Sequence, residues 1–403
     1  MEVTITSDWN ELSAYSLAWK GLADAALEPN PFYEDWMLLP ALRHLGAGKE
    51  LHCLLVFQTD PRQPTRPPLL CGLFPIERQR HYVGLPVSAW SMWKYAHCFL
   101  TTPLIRKDCA AECLAALFAW MSSDEGDCNL MEWRCLSGDG PFHQLLVNHL
   151  SQCGIVPLLS ELFTRAFLRP METADRYLST ALSGKSRSAL RRKAALLSEL
   201  GQVEYRLIEP DVDIRPWIDS FLRIEAGGWK GQEGSALACR ESHQDFFVDI
   251  VTQAFQRKRL LMSALLLNGT PIAQNCYFRA GRGSFFFKPA FDEQYARFSP
   301  GVYMECENIR YLHSQSDIDW MDACTSPAND MYNRLFLERR TIQSLLIPVG
   351  GAGRFVISVI PLLKFLKHSI LTFRQAGTEV NASNSKATPF RGRPEHSPVP
   401  ALR

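Results

Sequence analysis

The stretch from Arg259 to Asp322 limits what this chain can fold into more than any other. Leu260 to Leu267 is an apolar run of strand length that ends at Asn268-Gly269. Asn-Gly between apolar runs is the strongest short-range hairpin signal, because both turn residues must accept positive φ. Pro271 to Arg279 follows, with Ile272, Gln274, Cys276 and Phe278 on one face. A second tight turn, Gly281-Arg282-Gly283, leads into Ser284 to Lys288, so three antiparallel strands are predicted in succession. A polar loop, Asp292 to Ser299, then delivers Pro300-Gly301 to a helical pattern in which Val302, Cys306 and Ile309 recur. Ile318 to Met321 closes the unit as a returning strand.

Pro300 is pre-organised for a first helical turn, and Ser299 stands where it can cap it. Gly301 leaves the backbone N–H groups of that turn open, and such a helix start suits a diphosphate. This order of elements resembles the core of the GNAT acyltransferase superfamily. Lys288 to Gly301 (KPAFDEQYARFSPG) and Glu225 to Gly231 (EAGGWKG) are similar to its CelD-type branch. Those are acetyltransferase-like proteins linked to cellulose and exopolysaccharide biosynthesis, related to the Fem-type aminoacyl transferases. The resemblance covers roughly Arg187 to Arg340. It implies acetyl-CoA, or another acyl-CoA, held across Arg297, Phe298, Ser299, Pro300, Gly301 and Val302, with no metal. The usual GNAT turn is richer in glycine and begins with Gln or Arg; Arg297 is its nearest counterpart here.

At 403 residues the length prior is two to three domains, at ~150 residues each. A net charge of +1 gives no global reason to expect nucleic acid. The twelve cysteines include no C-x-x-C pair, which reads as buried reduced thiols and argues against a zinc site. The first residues have no basic start or apolar core of a leader, and no run reaches the ~18 apolar residues of a membrane span. A cytoplasmic protein is expected.

In the first half, Val3–Ile5, Leu51–Phe57, Leu69–Ile76 and Leu130–Cys135 read as strands. Helices are expected over Glu11–Leu27, after Pro29, after Pro103 and over Phe142–Cys153. The Asn-Pro-Phe-Tyr run at 30–33 resembles the opening of CelD-type proteins. The element order repeats that of the second half but lacks a Pro-Gly helix start, so this half is expected to wall the cleft without binding a cofactor. Arg165 to Pro170 reads as an exchanged edge strand.

Ser183 to Leu200 follows. Gly184-Lys185-Ser186 is not a phosphate-binding loop, because the glycine that motif needs upstream is Ser179. Instead, Leu190, Ala194, Leu197 and Leu200 are expected to form the buried side of a helix whose start is crowded by Lys185, Arg187, Arg191 and Arg192. Cations at a helix N-terminus are electrostatically unfavourable, which points to an anionic partner.

Acyl transfer from a thioester to an amine needs an N–H for the carbonyl oxygen, a proton acceptor and exclusion of water. Glu225 and Asp322 are the candidate catalytic carboxylates, with Tyr332 placed to protonate a leaving thiolate; Glu305 and Asp319 also lie near predicted cleft edges. Trp229, Lys230, Lys288 and Asp292 are candidate acceptor contacts. The whole is expected to be mixed α+β: two tandem GNAT-like lobes over 1–170 and 171–345, each a mostly antiparallel sheet flanked by helices. An amphipathic segment over 346–375 and a disordered tail over 376–403 complete it. The expected activity is acyl-CoA-dependent N-acylation of an amine-bearing sugar or an envelope or exopolysaccharide precursor. Aminoacyl transfer from tRNA, as in Fem-type proteins, and a non-catalytic scaffold at a polysaccharide synthase are the rivals. Arg354 to Phe373, with Lys364 and Lys367 on one side, is expected to allow peripheral membrane contact.

Overall fold

The computed structural model describes residues 1–359 apart from 60, 61, 63, 64, 66 and 83. It separates into two units, Met1–Gly353 and Arg354–Arg403. Of the second, residues 354–359 are helical; most of the expected amphipathic segment and all of the expected disordered tail lie outside the described residues. Among those described, no helix is long and apolar enough to cross a membrane.

The first unit is built on one sheet. Its strands are β1 (Glu2–Thr6), β2 (Leu51–Gln58), β3 (Leu69–Gln79), β4 (Ala89–Met92), β5 (Leu104–Ile105) and β6 (Leu130–Ser137). The chain continues with β7 (Leu158–Leu168), β8 (Val203–Leu207), β9 (Leu260–Leu267), β10 (Thr270–Ala280) and β11 (Gly283–Phe291). β12 (Trp320–Asp322) and β13 (Glu338–Pro348) come last. The predicted hairpin is present: Asn268 and Gly269 sit at φ 50° and 78°, and β9 and β10 pair antiparallel around them.

Across the sheet the order is β1-β2-β3-β4-β6-β13-β7-β12-β11-β10-β9-β8, with the short β5 beside β3. This order is a palindrome. The antiparallel run β1 to β4 followed by a parallel β4–β6 pair is matched by β8 to β11 followed by a parallel β11–β12 pair. The two halves meet by exchange: β7 leaves the first half to pair with β12, and β13 leaves the second to pair with β6. The expected edge strand at Arg165 to Pro170 is thus the end of a longer strand, and it lies in the middle of the sheet. β13 runs to Pro348, past the expected end of the second lobe at 345.

Most of the core is one apolar cluster spanning both halves, in which Phe32, Phe285 and Phe287 pack with Phe99 and Phe278. The opposite face of β10 and β11 packs Tyr277 and Phe286 under the helix Pro300–Ser314. Ten of the twelve cysteines are buried, and Cys153 and Cys239 are exposed; all twelve are free thiols.

Candidate functional site

The predicted helix start lies where expected, but it is built differently. Asp292 to Ser299 is a 3-10 turn over Glu293–Phe298, with Asp292 Oδ1 accepting from Gln294 N at 3.0 Å. Asp292 therefore serves as a cap here. Ser299 does not cap the next helix with its side chain. It takes a left-handed conformation (φ 56°, ψ 51°), and its hydroxyl accepts from Lys193 Nζ at 2.7 Å. The amides of Val302 and Tyr303 close instead on the Ser299 carbonyl, at 3.1 and 3.2 Å. At Gly301 a Cβ would meet nothing within 4 Å, so this position faces open space. Arg297 is exposed, its guanidinium 4.6 Å from the centre of the buried Phe298 ring.

Lys193 belongs to the basic helix Gly184–Ser198, which it ties to this turn. A cleft of about 450 Å³ opens there, lined by Ser186, Lys193, Ser299, Val302, Asp330 and Arg334 among others. A second, of about 380 Å³, lies against the same helix and the far side of Pro300–Ser314, with Arg187, Arg191 and Arg310 in its wall. Leu182 and Leu190 border both. Of the four residues expected on the buried side of the basic helix only Leu197 is fully enclosed; Leu190 and Ala194 line clefts, and Leu200 is 46% exposed. Among the described contacts Lys185, Arg187, Arg191 and Arg192 make no ion pair, and the buried Nε of Arg187 has no partner. Unneutralised cations thus surround a helix start whose own dipole favours an anion.

β11 and β12 run side by side only from Gly283↔Trp320 to Phe285↔Asp322 and then part. At the same level β11 carries a bulge, with Tyr277 opposite Phe286 and Cys276 opposite Lys288, so that Phe287 is the extra residue. A bulge bends its strand and interrupts the ladder. Beyond Phe285, β11 has no strand neighbour on the β12 side among the described residues.

The three expected catalytic groups are all committed elsewhere. Asp322 is fully buried and accepts from Arg165 Nη2 (2.7 Å), Arg340 Nη1 (2.9 Å) and Cys324 N (2.9 Å). Burial pushes its pKa up, but the two guanidiniums outweigh that, and it ends below the ordinary carboxylate range. Arg340 also reaches Glu28 at 3.4 Å, whose other oxygen accepts from Phe142 N and so occupies a helix start of the first half. Asp322 is thus an ion-paired anchor at the exchange of strands and not a free base. Glu225 is buried between Lys230 Nζ (3.1 Å) and Lys288 Nζ (3.6 Å), and accepts from Leu237 N at 2.9 Å. The Tyr332 hydroxyl, also buried, donates to Glu305 Oε2 at 3.4 Å. The Glu305 carboxylate collects bonds from Tyr277, Asn275 and Asn308 as well, and burial raises its pKa to about 6. Asp319 is on the surface, paired with Arg282.

Among the acceptor candidates, Lys230 and Lys288 meet at Glu225, and Lys230 also donates to Pro289 O on β11 at 2.9 Å. Trp229 is 48% exposed, with its N–H on Glu293 Oε1. Sequence reasoning missed a pair beside them. His97, from the first half, has its Nε2 3.1 Å from Nδ1 of His243 and stacks on Phe246. The His97 ring also lies near Phe287, the bulged residue. Burial, then the nearby Lys288, lowers the pKa of His97 to about 3, and the same two influences with Arg240 lower that of His243. Both rings are therefore neutral at neutral pH. No spacing rule links positions 146 residues apart, so the sequence carried no signal for this pair.

The linkage gives a test. Unfolded chains bind a proton at His97 as the pH falls through its ordinary value of 6.5, and the folded chain resists until about 3. Stability from this site is complete above that ordinary value and drains as the pH falls. Wild type is expected to lose about 1.4 kcal/mol more per pH unit than His97→Asn between about pH 6 and 4. Urea denaturation of both proteins across that range measures it, and parallel pH profiles would rule it out.

Comparison with known proteins fits this arrangement. Residues 184–332 match the family model described as an acetyltransferase (GNAT) domain. The fold is similar to the crystal structure of FemX, with a TM-score of 0.53 and 10% identity over 86% of this chain and 97% of that one. It is also similar to a conserved protein of unknown function from Bacteroides thetaiotaomicron, with a TM-score of 0.51 and 11% identity over 84% and 97%. At such identities the likeness is one of fold. No curated protein matches the chain.

Proposed function

We propose that this chain is an acyl-CoA-dependent N-acyltransferase of the CelD type, acting on an amine-bearing sugar or a cell-envelope or exopolysaccharide precursor. The observation that carries the reading is the cationic cleft at Ser299–Val302, where Lys193 fixes the turn and Gly301 leaves its backbone open. The donor's diphosphate sits at that helix start, with Lys193 and Arg334 of the same cleft supplying countercharge. Its thioester arm enters between β11 and β12, and a main-chain N–H of the bulge polarises the carbonyl. Glu225 and Asp322 are ion-paired and so are not free to take the amine proton.

Gly301→Phe tests the donor site. A Cβ there meets no neighbour, so the variant should fold normally, while its ring would cover the backbone that this reading gives to the diphosphate. Acetyl-CoA affinity by titration calorimetry is expected to fall about tenfold or more, at least 1.4 kcal/mol. Unchanged affinity would overturn the placement. The likeness to FemX favours a second reading, a Fem-type aminoacyl-tRNA donor at the same cleft. Thermal-shift measurements with acetyl-CoA, free CoA and a charged tRNA separate the two.

A further inference from the structure

The largest of the described cavities, about 590 Å³, is not the donor cleft. It lies where the exchanged strands meet, with Lys94, Phe99 and Arg134 from the first half facing Arg165 on β7 and Cys324–Pro327 after β12. The segment that leaves β12 links the two spaces: Cys324–Pro327 walls this groove, and Asp330–Leu335 walls the donor cleft. The groove reaches the bulge as well, since Phe99 packs edge-on against Phe287. A donor entering from one side and an acceptor lying in this groove would therefore approach the same parting of strands from opposite faces.

Three features point to what the groove holds. Its wall carries three cations, Lys94, Arg134 and Arg165, against one acid, Glu161; Arg134 is paired with Glu132 and Arg165 with Asp322, which leaves the Lys94 charge uncompensated. Lys94 is exposed and makes no hydrogen bond or ion pair among the described contacts. Arg165 is 2% exposed and spends its two terminal nitrogens on Asp322 and the Phe99 carbonyl, while its Nε has no partner; the buried Thr325 hydroxyl nearby also lacks one. Finally, Cys135 and Cys324, both in the wall, hold left-handed backbones at φ 59° and 48°. Two non-glycine residues in that region on facing walls mark a surface whose shape is held against local preference.

We propose that this groove binds the acceptor through an acidic group, a carboxylate or phosphate, that Lys94 meets at its mouth. The inference rests on the acyl-transfer reading for the role of the ligand, but not for its chemistry. The acceptor is then an amine that also carries negative charge, and the first half of the chain selects it.

The test uses the full chain saturated with CoA and three amines: glucosamine, glucosamine 6-phosphate and muramic acid. Titration calorimetry is expected to give at least one acid-bearing amine an affinity about tenfold or more above that of glucosamine. The phosphate and carboxylate arms tell which acid is preferred. Lys94→Glu, a change at an exposed position, should abolish that preference and leave CoA affinity unaltered. Equal affinities for all three amines, no binding of any at millimolar concentration, or a preference that survives Lys94→Glu would each overturn the proposal. Failure of wild type to bind CoA would count against the donor site instead, and the amine titrations would still decide the groove.

Discussion

Asp322→Asn is expected to cost about 3–5 kcal/mol of folding stability, because removing one partner of a buried ion pair strands the other's charge. Here Arg165 loses its acid outright and Arg340 is left with Glu28 alone. Arg165 and Arg340 both end on Asp322 Oδ2, at 2.7 and 2.9 Å, in a region that water does not reach. Asparagine keeps the shape and can still accept from Cys324 N, so the loss isolates the charge. Asp322 has its pKa below the ordinary value, so the folded carboxylate stays ionised where the unfolded one would take up a proton. Its contribution is complete above about pH 4 and drains only as the pH falls further. The wild-type advantage over Asp322→Asn should therefore be flat from neutral pH down to that point. Asp319→Asn is the control: its partner Arg282 is a surface residue, and no measurable change is expected. Equal denaturation midpoints for wild type and Asp322→Asn would show that the seam draws little from this cluster.

The second large effect is expected at Glu305. Tyr277, Tyr332, Asn275 and Asn308 all donate to its Oε2, and Tyr205 extends the network through Asn308 at 2.9 Å. Glu305→Ala strands the Tyr277 and Tyr332 hydroxyls in a closed interior, while Asn275 and Asn308 keep the Tyr277 oxygen, and is expected to cost on the order of 4 kcal/mol, since each stranded polar group costs about 1–3. Glu305→Gln keeps one acceptor oxygen and removes a charge that burial already disfavours, so it should lose far less. The raised pKa sets the pH dependence. The folded form holds its proton up to about pH 6, where the unfolded carboxylate has released it. The penalty of ionising Glu305 is absent in acid and grows as the pH rises, so Glu305→Gln should compare best with wild type above pH 7. Chemical denaturation at pH 5 and pH 8 measures both variants, and a Glu305→Ala protein as stable as wild type would show that the donors find other partners.

What could be read from the sequence follows the range of the forces involved. β9, β10 and β11 were legible because Asn268-Gly269 and the alternation of apolar residues act within a few positions. The helix start at Pro300 was legible for the same reason. The left-handed Ser299 was not, because its hydroxyl answers to Lys193, 106 residues earlier. Nor could Asp322 be told from a catalytic carboxylate: what neutralises it is Arg165, 157 residues away, brought there by the exchange of β7. Glu225 repeats the lesson with Lys230 and Lys288. Ionisable residues near a cleft edge look alike in a sequence, and only the pairing of distant strands decides which of them meet a counterion.

That exchange has a consequence for how the chain is made. The first half cannot finish its sheet from its own residues, since the neighbour of β6 is β13, which begins at Glu338. During synthesis β6 must wait with one flank unpaired while some two hundred further residues emerge from the ribosome. The matching domain at 184–332, expressed by itself, would lack both β7 and β13 and would leave β12 bare on one side. A nascent chain halted before Glu338 should be open to proteases and chaperones along that whole flank.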